Sequence, residues 1–203
     1  SPELIEPLCF KRPAVVVCPG GGYSMVSGRE KDPTAVEFFA MGVQVFVLEY
    51  SVGEGASDKR PLEELARTVL MVRQNAESWR VDPNKVVVIG FSAGGHLTGS
   101  LGVHWDDSEI AERCGVSDAK LLRPDGMILC YPVLTMIDKL THQGTKQNVM
   151  AGTKEAESYW SLETQVKANT PPAFIWHTME DTAVPVENSL LFLAAMHQAG
   201  VPC

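Results

Sequence analysis

A basic face is the first thing this sequence lacks. Its 203 residues carry 17 Lys and Arg against 25 Asp and Glu, a formal charge of −8 at neutral pH. Recognition of a phosphate backbone needs a positive surface, so nucleic acid is not an expected partner. Long apolar runs are missing too: none spans a bilayer and none reads as a signal peptide, so no membrane partner is expected. The chain opens at Ser1 rather than Met, which leaves a removed leader open. The five cysteines (Cys9, Cys18, Cys114, Cys130 and Cys203) lack metal-ligand spacing. An odd count without a disulfide framework favours a reducing compartment, hence the cytoplasm, and no metal is expected. Neither G-x-x-x-x-G-K-[ST] nor a helix-opening G-x-G-x-x-G occurs, so no nucleotide or other cofactor is implied. Repeats, low-complexity tracts and linkers are also absent.

What remains reads as one α/β domain over residues 1–203. Apolar residues make up 45% and charged ones 21%, which is ordinary for a globular chain. Residues 1–12, with Pro2 and Pro7, read as an extended entry. Strands are expected at Ala14–Cys18, Val43–Tyr50, Val86–Ile89, Gly126–Cys130 and Ala173–Trp176. Helices are expected at Thr34–Met41, from Pro61 to Trp79, after Ser92, and over Val186–Ala199. Residues 135–170 are polar and read as an irregular insertion over the site. Strands alternating with helices imply a parallel sheet with right-handed crossovers, whose ligands bind at the carboxyl ends of the strands.

Three segments follow strands at that edge. Gly90-Phe91-Ser92-Ala93-Gly94 fits G-x-S-x-G between a β-branched strand and a helix. A sharp turn there holds the serine strained and exposed, and glycines on either side remove colliding β-carbons. Its bland alternative is a helix-capping serine. Pro19-Gly20-Gly21-Gly22-Tyr23 offers backbone N–H groups as an anion cradle. With the N–H of Ala93, those of Gly21 and Gly22 make a candidate oxyanion hole, the alternative being a tight turn. Asp181, past the late strand, is a candidate to orient an imidazole; Glu180 is its rival, and a solvated loop acid the bland reading. Tyr23, Tyr131 and His177 are candidates for the substrate pocket.

The histidines fit less well. His96, one turn beyond Ser92, is expected to pack beneath the site, while His104 and His142 sit in polar segments. His197 obeys the order Ser-Asp-His but lies late in a helix expected to pack on the sheet flank.

Together Val17–Tyr23, Val47–Ser51, Val81–His96, Cys130–Val133 and Trp176–Pro185 resemble the α/β-hydrolase superfamily, and within it the carbohydrate acetyl-esterase (acetylxylan-esterase-like) branch. The resemblance implies a mostly parallel sheet with helices on both faces. It also implies Ser92 as nucleophile, Asp181 as acid, the Gly20–Tyr23 loop with Ala93 as oxyanion donors, and hydrolysis of small acyl esters, acetylated sugars above all. A peptidase or amidase, or a non-catalytic binding member, are the alternatives. In that superfamily the base histidine follows one further strand, whereas this chain stops at Val201-Pro202-Cys203. The expectation is therefore a fold short of its final strand and helix, shortened at its start as well, and without its catalytic histidine. Such a chain is expected to be feebly active, because a serine without a base keeps its proton. It is also expected to self-associate, as a possible homo-oligomer, through an uncovered sheet edge.

Overall fold

A computed structural model describes residues 11–203. Residues 1–10, most of the expected entry, lie outside the described residues. Among the described residues five strands form one parallel sheet in the order β2-β1-β3-β4-β5: β1 (Arg12–Cys18), β2 (Gln44–Val47), β3 (Val81–Phe91), β4 (Gly126–Cys130) and β5 (Ala173–Trp176). Strand β2 is shorter than its apolar run because the chain leaves the sheet after Val47. Tyr50 beyond it is buried, and its hydroxyl donates to the Pro19 carbonyl at 2.6 Å.

Side-chain alternation splits the sheet into two faces. Ala14, Val16, Val86 and Val88 pack with Leu65 and Val69 of α2 (Arg60–Gln74) and Leu97 and Leu101 of α3 (Ala93–His104). On the same face Met127 and Leu129 meet Phe192 and Met196 of α7 (Glu187–Gln198). Val15, Val17 and Ile89 turn the other way, towards Phe38 of α1 (Gly28–Ala40). Next to it, at the β5 edge, Phe174 and Trp176 are exposed, and the Ala173 N–H donates to the Pro202 carbonyl.

Several elements differ from expectation. Helix α1 begins at Gly28, six residues before the expected Thr34, through Gly-Arg-Glu-Lys-Asp-Pro, a stretch with no apolar period to read. The polar run after α3 holds a short helix, α4 (Ser108–Arg113), capped by the Asp107 carboxylate. Residues 135–170 are not irregular: they contain α5 (Gln143–Met150) and α6 (Glu157–Trp160). Buried Lys59 ties this segment to the body by pairing with Asp107 at 3.1 Å, Glu109 at 2.9 Å and Glu155 at 2.8 Å. Burial works to lower its pKa, but hydrogen bonds to those three carboxylates hold it above the usual lysine range. The Tyr159 ring lies 4.6 Å from its Nζ and completes the cluster. Cys18 and Cys130 are buried thiols, which burial pushes up to about 12 and about 11.

Two buried histidines make stability depend on pH. His96 donates from Nε2 to the Trp160 carbonyl, and His104 from Nε2 to the Tyr159 carbonyl. Burial pushes both down to about 4 from an ordinary value near 6.5. Below pH 6.5 the unfolded chain binds protons that the folded chain refuses, so stability is full above that value and falls as pH drops towards 4. The loss reaches about 3 kcal/mol per histidine at most. Urea midpoints are expected to fall steadily across this window; a flat profile contradicts the burial of these rings.

Candidate active site

Strand β3 runs straight into the turn that carries Ser92. There φ is +52° and ψ −117°, a left-handed region that non-glycine residues rarely occupy. Three backbone bonds hold the strained residue. Its N–H donates to the Cys130 carbonyl at 3.0 Å, and its own carbonyl accepts from His96 and Val133. The flanking glycines are obligatory here. A β-carbon on Gly90 would lie 2.1 Å from the Gly94 oxygen, and one on Gly94 the same distance from the Cys18 oxygen. Ala93 is the first residue of α3, where a backbone N–H has no intrahelical acceptor.

The glycine loop lies against this turn, since a β-carbon on Gly20 would sit 3.1 Å from Ser92 Cβ. Its carbonyls are engaged one after another. The Gly20 oxygen accepts from Ser27 N–H, and the Gly21 oxygen from Ser24 N–H, Met25 N–H and Ser24 Oγ. Across a planar trans peptide the next N–H points the opposite way. The N–H groups of Gly21 and Gly22 thus point opposite to those engaged carbonyls, with no acceptor among the described residues. Gly20 N–H is not available in this way, because it donates to Glu30 Oε2 at 2.6 Å.

Asp181 sits on the loop after β5. Its Oδ1 accepts from Ala183 N–H and Val184 N–H, both at 2.9 Å, which fixes the carboxylate plane. Ser92, Gly21, Gly22, Tyr131, His142 and Asp181 line one cavity of about 470 Å³ at the carboxyl ends of the strands. Glu180, the rival acid, is exposed and does not line it. A larger cavity, about 790 Å³, opens at the other end of the sheet. There Arg73 is already paired with Asp125 and with two backbone carbonyls. Among the described residues no cluster of three or more His, Cys, Asp or Glu side chains is arranged to hold a metal ion.

Of the three pocket candidates only Tyr131 lines the cavity, its hydroxyl donating to Glu30 Oε1 at 2.9 Å. Tyr23 needs correction. With φ at +57° its side chain turns under the loop, where it is buried and bonded to His96 Nδ1 at 3.0 Å. His177 needs correction as well. Its Nδ1 accepts from Ser189 Oγ at 2.7 Å and its Nε2 donates to the Val184 carbonyl at 2.8 Å, so it buttresses the Asp181 loop from behind. Glu30 and Asn148 are lining residues that sequence reasoning passed over, and His142, read there only as lying in a polar segment, lines the cavity too. Asn148 donates to the Gly22 carbonyl at 2.8 Å, tying α5 to the glycine loop.

The BD-FAE family model matches residues 9–196. The chain belongs to the BD-FAE family. This BD-FAE chain is 44% identical over 202 residues to endo-1,4-beta-xylanase B of Butyrivibrio fibrisolvens, covering 95% of itself and 31% of that protein. It is 31% identical to an acetylxylan esterase of Xylanibacter ruminicola, covering 94% of itself and 38% of the relative. The chain thus spans about a third of the length of these curated relatives. Among solved structures, the acetyl ester-xyloside bifunctional hydrolase of Caldicellulosiruptor lactoaceticus superposes with a TM-score of 0.83 at 36% identity, covering 95% of this chain and 71% of that one. The BD-FAE chain is accordingly an α/β-hydrolase of the acetylxylan-esterase-like kind. Among its described residues no helix is long and apolar enough to cross a membrane.

Proposed function

We propose that this chain carries the nucleophile, acid and oxyanion donors of a serine esterase acting on small acyl esters, acetylated sugars in particular. One observation carries the reading: a strained Ser92, two unengaged glycine amides and the Asp181 carboxylate share one cavity. In the proposed reaction Ser92 Oγ attacks the ester carbonyl, and the developing oxyanion takes hydrogen bonds from Gly21, Gly22 and Ala93 N–H. An imidazole accepts the serine proton and passes it to the departing alcohol. Water then attacks the acyl-serine by the same route in reverse.

On this reading none of the five histidines of this sequence supplies that imidazole. His96 and His177 have both ring nitrogens engaged, and His104 is buried under Tyr159. His142 spends Nδ1 on a helix cap, and His197 is exposed in the last turn of α7. On this reading the base is an imidazole supplied from outside these 203 residues, oriented by Asp181 Oδ2, which lies 3.6 Å from His177 Nε2. The acetyl preference draws support from the names of the Xylanibacter and Caldicellulosiruptor proteins.

A panel run with added imidazole tests the proposal. Acetyl esters, including an acetylated xylo-oligosaccharide, are expected to turn over in proportion to imidazole, longer acyl esters more slowly, and a peptide anilide not at all. Faster cleavage of the anilide, or no ester cleavage, overturns it.

A further inference from the structure

His142 caps α5 with its side chain, and the cap decides its chemistry. Thr145 N–H points at Nδ1 from 3.1 Å, and Thr145 Oγ1 lies 3.0 Å from the same atom. A backbone N–H only donates, so Nδ1 is the unprotonated nitrogen and the neutral ring carries its hydrogen on Nε2. Thr145 is fully buried, so the ring is held by a rigid partner. Nε2 has no partner among the described residues, and His142 lines the cavity that holds Ser92 and Asp181.

The ring is also fixed relative to the glycine loop. A β-carbon on Gly22 would lie 3.5 Å from His142 Cε1, and the Asn148–Gly22 bond holds α5 in place two turns further on. An oriented, uncharged N–H donor therefore stands beside Gly22, bound by nothing among the described residues. Left unmatched when a ligand excludes water, it costs binding; matched by an oxygen acceptor, it adds to it.

We propose that His142 is a recognition residue whose Nε2–H donates to a hydroxyl or ring oxygen of the substrate, favouring polyol esters over plain alkyl esters. This rests on reading the cavity as the ester site and adds what selects the alcohol part. The donor, unlike a triad base, has no free lone pair to take the Ser92 proton, so it acts by binding.

Nitrogen-15 NMR of the 203-residue chain tests this without turnover. The free protein is expected to show the Nε2–H tautomer at His142. An acetylated methyl xyloside is expected to shift His142 Nε2 together with the Gly21 and Gly22 amides, whereas ethyl acetate shifts the glycine amides alone. His142→Asn keeps a capping side chain on α5 and is expected to reduce the preference for the xyloside over ethyl acetate about tenfold. An Nδ1–H tautomer, a xyloside that moves the glycine amides but not His142, or an unchanged preference in the variant overturns the inference while leaving the esterase reading intact. If neither probe moves the Gly21 and Gly22 amides, the esterase reading falls, and this inference with it.

Discussion

Added imidazole is expected to raise hydrolysis of p-nitrophenyl acetate by this chain on the order of 10²-fold, the lower range of general-base catalysis. Ser92→Ala is expected to erase that whole increment while changing the imidazole-free rate little. Members of a nucleophile–base pair act as a unit, so if the base lies outside this chain, as proposed, removing the serine costs almost nothing more. The small imidazole-free rate comes from the oxyanion donors, which Ser92→Ala leaves in place. Comparing both proteins across an imidazole series separates this from imidazole's own reaction with the ester. Parallel curves for the two proteins contradict the assignment of Ser92.

Gly94→Ala is expected to prevent folding rather than merely slow the reaction. Its β-carbon would lie 2.1 Å from the Cys18 oxygen and 2.4 Å from the Pro19 oxygen. Those are backbone atoms at the end of β1, which is paired on both sides, by β2 and β3, so neither can give way. Ordinary overpacking costs about 1–3 kcal/mol through side-chain shifts. A clash between an α3 residue and a sheet backbone has no such relief, and the cost is expected to exceed about 3 kcal/mol. Gly28→Ala supplies the contrast. Nothing lies within 4 Å of its β-carbon, φ is not left-handed, and it opens α1. Little change or a gain of about 0.4–1 kcal/mol is expected there. Urea midpoints and soluble yield measure both; a well-folded Gly94→Ala protein contradicts the close approach of α3 to β1.

How much of this was legible in the sequence depended on whether packing leaves a period. Strands β4 and β5 match the expected Gly126–Cys130 and Ala173–Trp176, because short apolar runs bounded by turn residues have one reading. The Ser92 turn was legible because its two glycines answer to backbone collisions that only glycine avoids. Helix α5 was not. Gln-Gly-Thr-Lys-Gln-Asn-Val-Met has no apolar stripe, and it is held by buried Thr145 and Val149, the His142 cap and the Asn148–Gly22 bond. These are contacts made across the fold, so local propensity is silent about them. The polar start of α1, which brings Glu30 to Gly20 and Tyr131, was hidden for the same reason. Tyr23 misled in the other direction. An aromatic residue after three glycines reads as a pocket wall, but a left-handed φ sends it inward, to His96 and a ring contact with Tyr50.

The proposed function needs Ser92 to be the nucleophile and its base to lie outside these residues, and the rate of covalent labelling by a fluorophosphonate addresses both halves at once. The prediction is slow modification located on Ser92, accelerated by added imidazole and absent in Ser92→Ala. Fast labelling that imidazole does not change, or labelling on another residue, contradicts it.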